Sequence, residues 1–145
     1  MNRDHFKKLE RMYLNATINK MLYETTTVNI SEGMAEIGLT ISEKYFHALG
    51  AIHGSTYFKL LDDAAFFAVN SIVDDVFVLT TSFNIHLVHP VTKGQLTSIG
   101  RIKYQSNNLF IAESTLYNEE GIEVGFGNGN FAKSKIILSE KIGYK

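Results

Sequence analysis

The chain has 145 residues and a mass of 16.3 kDa, enough for one substantial core and too few for two. Hydrophobic residues make up 45% and charged residues 20%, the balance of a globular protein rather than a disordered or fibrous one. With 14 Lys and Arg against 15 Asp and Glu the net charge is -1, which argues against electrostatically driven nucleic-acid binding, and the absence of cysteine excludes disulfides, thiolate nucleophiles and thiolate metal sites.

No apolar stretch approaches the ~20 residues that cross a bilayer. Residues 1–24 start basic but contain no apolar run before a small-residue cleavage site, so they do not read as a signal peptide. The expectation is a soluble cytoplasmic protein with no membrane or nucleic-acid partner. Pro90 is the only proline, and no linker, repeat or low-complexity tract divides residues 1–145, so one domain is expected.

Residues 4–19 place Phe6, Leu9, Tyr13 and Ala16 at helical spacing with Lys7, Lys8, Glu10 and Arg11 between them, the pattern of an amphipathic helix lying on another layer. Residues 23–30 and 34–41, rich in Thr, Val and Ile around Ser31-Glu32-Gly33, read as a hairpin. After an irregular stretch, residues 55–73 lack proline and glycine and are apolar around most of a helical circumference. Such a helix is enclosed rather than amphipathic, and Ser55 or Thr56 offers it an N-cap.

The rest alternates. Over residues 76–89, Phe77, Leu79, Thr81, Phe83, Ile85 and Leu87 fall on one face and Thr80, Ser82, Asn84 and His86 on the other. Residues 95–105, 109–118 and 122–134 read as three further strands, and residues 136–145 as a tail. The order is helix, two strands, long buried helix, four strands. Short strand-to-strand links predict a largely antiparallel sheet, and the enclosed helix predicts an α+β fold whose sheet curls around it.

Two features carry chemistry. Asp62-Asp63 stands in the middle of the apolar helix, its members pointing ~100° apart. Burying an unpaired carboxylate is costly, and ionisable groups so placed are often functional. The plainer alternatives are that both reach solvent or, for Asp63, a pairing with Lys59 one turn earlier. The second feature is His47-Ala-Leu-Gly50-Ala-Ile-His53-Gly54, just upstream. Gly54 offers an unobstructed amide at the positive end of the helix, where developing negative charge is favoured; a tight turn needing glycine would leave the same trace.

Gly54 and Asp62 lie ~12 Å apart along a helix at ~1.5 Å per residue, whereas reacting groups must approach to ~3–3.5 Å. If both serve one site, Asp62 must come from a second copy whose helix runs antiparallel alongside, which predicts a two-fold dimer with two shared sites.

The stretch HGSTYFKLLDDAAFFAVN, residues 53–70, with its H-G pair at the helix start and an Asp eight residues after that glycine, resembles the hotdog-fold acyl-CoA thioesterases of the phenylacetate-pathway (PaaI-like) group. The looser likeness covers residues 23–134. The resemblance implies a five- or six-stranded antiparallel sheet around the long helix, and homodimers joined edge to edge that often pair again into tetramers. It further implies an acyl-CoA thioester as substrate, with no cofactor beyond the coenzyme A that belongs to it. In that scheme the Gly54 amide polarises the thioester carbonyl and Asp62 of the neighbouring subunit is general base or nucleophile. His53 shapes the loop, His47 falls where many members carry Asn or Gln, and Thr80 where some carry a water-holding hydroxyl. Ser55 departs from the second glycine that many relatives have, and the alternation above puts Thr81 rather than Thr80 beside Phe83.

The remaining candidates are weaker. Gly125, Gly127 and Gly129 leave one strand face bare, which suits close packing against the buried helix. His86 and His89 point to opposite faces of a strand and make a poor metal pair, so no metal site is expected. No G-x-S-x-G elbow exists for a serine hydrolase. Lys133 and Lys135 can meet coenzyme A phosphates or be plain solvated positions. Tyr57, Phe58, Phe66 and Phe67 can line an acyl pocket or serve as core. A hotdog protein that binds an acyl-CoA without cleaving it is the second reading, and a hotdog dehydratase or hydratase the third.

Overall fold

The protein, seen in a computed structural model that describes residues 2–145, wraps one sheet around one helix. Helix α1 spans Arg3–Leu14 and a short α2 Thr17–Met21; strands β1 (Thr27–Ser31) and β2 (Met34–Thr40) form the hairpin; α3 is Gly54–Asn70. Strands β3 (Val76–Leu87), β4 (Gln95–Gln105), β5 (Phe110–Tyr117) and β6 (Glu123–Ile137) follow. The sheet runs in the order β1-β2-β4-β5-β6-β3, and every pairing in it is antiparallel. No helix among the described residues is long and apolar enough to cross a membrane.

Helix α3 fills the concave side because one of its faces is small. Ala64, Ala65 and Ala68 are fully buried, and the sheet comes so close that a Cβ on Gly100 of β4 would stand 2.2 Å from the Ala64 carbonyl oxygen. Glycine is the residue that permits this approach. The Ser114 hydroxyl of β5 donates to the Leu61 carbonyl at 2.7 Å and fixes the helix on the sheet.

The N-terminal segment is two helices rather than one. Asn15 caps α1, and Ala16, extended at ψ 139°, starts α2. Helix α1 buries Phe6, Leu9 and Tyr13 as its spacing predicts, and also two polar residues. Glu10 accepts the Ile30 backbone N–H at 2.8 Å. His5 joins the Asn70 carbonyl at 2.8 Å through Nε2, which must be the protonated nitrogen because a carbonyl only accepts, and Nδ1 meets the Tyr144 hydroxyl at 2.8 Å. The layer over α3 is thus pinned at the strand β1 end and at the C-terminal end of the helix.

Residues 136–145 are not a loose tail: β6 runs on to Ile137, Leu138 is buried and Tyr144 bonds His5. Three further local expectations are corrected. The N-cap is His53, not Ser55 or Thr56: its Nδ1 accepts the Ser55 N–H at 3.0 Å, so the helix begins one residue earlier, at Gly54. The strict alternation drawn for β3 fails because the ladder to β6 shifts between Thr80 and Ser82. A bulge at Thr81 moves the inward face from Thr80 to Phe83, and Thr81 turns its hydroxyl to the Asn130 carbonyl at 3.0 Å. Finally, only Gly125 of the three bare β6 positions faces the helix, beside Tyr57 and Leu61; side chains at Gly127 and Gly129 would meet Phe83 of β3 instead.

Candidate active site

The first turn of α3 leaves one amide over. His53 engages Ser55 N–H with its ring and Thr56 N–H with its carbonyl at 3.0 Å, while the Gly54 N–H meets no acceptor among the described residues. Gly54 opens instead onto a hollow of about 290 Å³ lined with His47, Tyr57, Leu87 and His89. A free N–H at a helix N-terminus is an anion-stabilising donor.

The loop before the helix is held by its own hydrogen bonds. His47 accepts the Leu49 N–H on Nδ1 at 3.1 Å, so its ring turns back on its own loop and keeps Nε2 for other partners. The loop closes through His47 N–H to the Ala51 carbonyl at 2.9 Å and the left-handed Gly50, φ 78°.

Two turns further on, α3 faces an open groove of about 1100 Å³ in which Ser55, Phe58, Asp62 and Thr80 share the wall. Phe58 is 40% exposed and packs edge to face with Phe83, the ring centres 5.7 Å apart. Asp62 is half-buried and accepts the Thr80 hydroxyl at 2.9 Å. Burial pushes its carboxyl from the usual carboxylate range up to about 6, against the pull of the Thr80 hydrogen bond; the Asp63 charge adds to the rise and Lys59 opposes it. Such a group is a base at neutral pH that still holds a proton well.

Thr80 reaches Asp62 because the chain is pinned on both sides of it. Fully buried Asn70, the last residue of α3, donates to the Val73 carbonyl at 2.8 Å and accepts the Val78 N–H at 3.1 Å. That sets the start of β3, and the bulge at Thr81 lets Thr80 and Phe83 face the helix together.

Asp63 has the structural role that its spacing allowed. It binds Lys59 at 2.8 Å and accepts the Tyr13 hydroxyl at 2.7 Å. Within one chain, then, the predicted residues divide: Asp62, Thr80, Ser55 and Phe58 gather on the groove, and Gly54 and His47 on the hollow. His53 is exposed beside the helix start and lines neither. Lys133 and Lys135 are exposed on β6, and neither lines the groove or the hollow. Residues not singled out from the sequence also shape the site. Phe77 and Leu79 wall the groove, and Leu87 stands over Gly54. Their apolar alternation marks a strand and carries nothing to separate a site wall from ordinary core.

A family model for the thioesterase superfamily matches residues 49–124, just over half of the chain. The chain belongs to the thioesterase superfamily. The matched segment holds both chemical features, the Gly54 turn and Asp62 with Thr80. No curated protein matches the thioesterase-superfamily chain at a significant level. Among solved structures, the PaaI protein of E. coli, from the phenylacetic acid degradation operon, superposes with a TM-score of 0.84 at 18% identity, covering 95% of this chain and 99% of the other. A conserved protein of Pseudomonas aeruginosa gives 0.77 at 20% identity, covering 86% and 98%. A mutant of a thioesterase enzyme from Staphylococcus aureus gives 0.69 at 18%, covering 75% and 93%. At these identities the likeness shows the fold, and that fold is the hotdog.

Proposed function

We propose that this chain is an acyl-CoA thioesterase that works as a dimer, each site formed by Gly54 of one protomer and Asp62 of the other. The observation that carries the reading is the division just described: a free helix-start amide and a base tuned to about 6 sit on one helix but open into different hollows. The eight residues between them amount to ~12 Å of helix, a gap that an antiparallel neighbouring helix removes.

The chemistry needs few parts. The thioester carbonyl oxygen accepts the Gly54 N–H, and Asp62 takes a proton from a water that attacks the carbonyl carbon. A C–O bond forms while the carbonyl π pair moves onto the oxygen at Gly54. When that pair returns, the C–S bond breaks and the thiolate of coenzyme A takes the proton from Asp62, which leaves a carboxylic acid and a free thiol. Thr80 keeps Asp62 oriented, His53 keeps the helix start in register, and His47 presents Nε2 beside the carbonyl. Ser55 and Phe58 contact the acyl part. Lys133 lies across the ladder from Val78, next to the groove wall, where with Lys135 it offers positive charge to the phosphates of coenzyme A. The cytoplasm, where acyl-CoA is made and used, is the expected compartment.

The direct test is release of free thiol from short-, medium-, long-chain and aryl-CoA thioesters by the purified protein. Turnover of at least one class, lost in Asp62→Asn, is the expected result. Tight acyl-CoA binding with no thiol released from any class would replace the hydrolase with a carrier on the same fold.

A further inference from the structure

Two adjacent carboxylates on one helix raise a question that the reaction leaves open: what makes Asp62 the base and keeps Asp63 out of the chemistry. The surroundings of Lys59 answer it. Its ammonium lies 4.7 Å from the centre of the Tyr23 ring, a cation–π contact, and 4.9 Å from that of Tyr13, on the hydroxyl side of the ring. It donates to Asp63 at 2.8 Å and to the Tyr13 hydroxyl at 3.1 Å, and Tyr13 itself donates to Asp63 at 2.7 Å. The three groups close a ring of hydrogen bonds, with the Lys59 and Asp63 side chains only 13% and 21% exposed. Tyr13 and Tyr23 come from the N-terminal layer, outside the segment matched by the superfamily model.

We propose that Lys59 is a positioning residue: although it and Asp63 line the same groove as Asp62, it compensates Asp63 and holds it toward Tyr13 of α1, so that of the two adjacent carboxylates Asp62 is the one left unpaired by a cation. The proposal rests on the thioesterase reading for its consequence in catalysis and on the geometry alone for the electrostatic claim.

The charges that face Asp62 can be enumerated by element. On α3 itself they are Asp63, which disfavours the Asp62 anion, and Lys59, which favours it. From β3 the Thr80 hydroxyl donates to it. From the N-terminal layer the phenol of Tyr13 is held neutral, its pKa raised by burial first and then by the two aspartates. The exposed Lys20, Glu140, Lys141 and Lys145 stand on the groove rim, in solvent that screens them. Lys59 and Asp63 are therefore the two sheltered, opposed influences on Asp62, and each holds the other in place.

The test is the titration of the Asp62 side-chain carboxyl by 13C NMR in the full chain, beside the pH profile of kcat/KM. In Lys59→Met, Asp63 is left uncompensated and the Asp62 midpoint should rise, by roughly half to one pH unit. In Asp63→Asn, the lysine keeps its contact with the Tyr23 ring without its anion, and the midpoint should fall. The double variant, with both charges gone, should return toward the parent, which a loss of packing at position 59 would not do. Asp63→Asn preserves shape and gives the opposite sign, so the claim remains open to refutation even if Lys59→Met does not fold. Midpoints that stay put in the single variants, or that move the same way in both, would overturn the proposal. Because the carboxyl is observed directly, a protein that releases no thiol from any acyl-CoA would refute the thioesterase reading and leave this result standing.

Discussion

The start and the middle of α3 differ in nearly every respect. At the start, a small, shallow hollow adjoins a backbone amide that two local contacts of His53 leave unused. In the middle, a groove almost four times as large opens around a carboxylate that burial has made a stronger base. One place offers a donor with no mobile proton, the other an acceptor whose proton affinity burial has raised. The rigidity of the helix between them keeps them apart in a single protomer, which is why the proposed site needs two.

The largest expected effect is at the carboxylate. Asp62→Asn keeps the size and the Thr80 contact and removes the base; kcat/KM should fall by about 10²–10⁴ in a thiol-release assay, with the oligomeric state by light scattering unchanged. The amide end can be removed almost as cleanly. Gly54 occupies the first helical position, its predecessor is extended at ψ 148°, and a Cβ there would meet only Leu87 at 3.4 Å. Gly54→Pro therefore fits the helix start while it deletes the N–H, and kcat should drop by about 10²–10³ with KM little altered. Gly54→Ala, which retains the N–H, should keep most of the activity.

Smaller effects sharpen the picture. Thr80→Val deletes the hydroxyl that stabilises the Asp62 anion. The acid limb of the rate profile should move to higher pH, and the rate at neutral pH should fall about two- to tenfold. The Asp62 pKa is about 6 in the folded chain and near the ordinary 3.8 in the unfolded one, so the folded state binds the proton more tightly. Stability contributed by the protonated form is present at low pH, is lost as pH rises from about 4 to 6, and leaves a constant penalty above that. Asp62→Asn should raise Tm on the order of 2–5 °C at pH 8, with the gain gone below pH 4; differential scanning calorimetry at the two pH values checks this.

Much of this was legible in the residues. Periodicity located α3 and strands β2 to β6 to within about three positions, because a long apolar helix and alternating strands are local patterns, but it merged α1 and α2 into one helix and began β1 four residues early. The resemblance of residues 53–70 brought in the hotdog fold, which the structure shows. What escaped the sequence depends on partners distant along the chain. The bulge at Thr81 exists only through pairing with β6, and it decides which threonine meets Asp62. Tyr13 reads as an apolar stripe position, and nothing local shows that its hydroxyl ends on Asp63, fifty residues away. Gly100 looks like an isolated weakness in a strand until the backbone of Ala64 is seen against it.

The shared site can be tested by complementation. Asp62→Asn and Gly54→Pro chains, each nearly inactive alone, are unfolded together and refolded as a mixture. Every mixed dimer then contains one site with an intact Gly54 from one protomer and an intact Asp62 from the other. The account predicts recovery of about a quarter of parental activity, since half of the dimers are mixed and each has one working site. A mixture in which heterodimers are demonstrably present, yet which is no more active than its components, would contradict it.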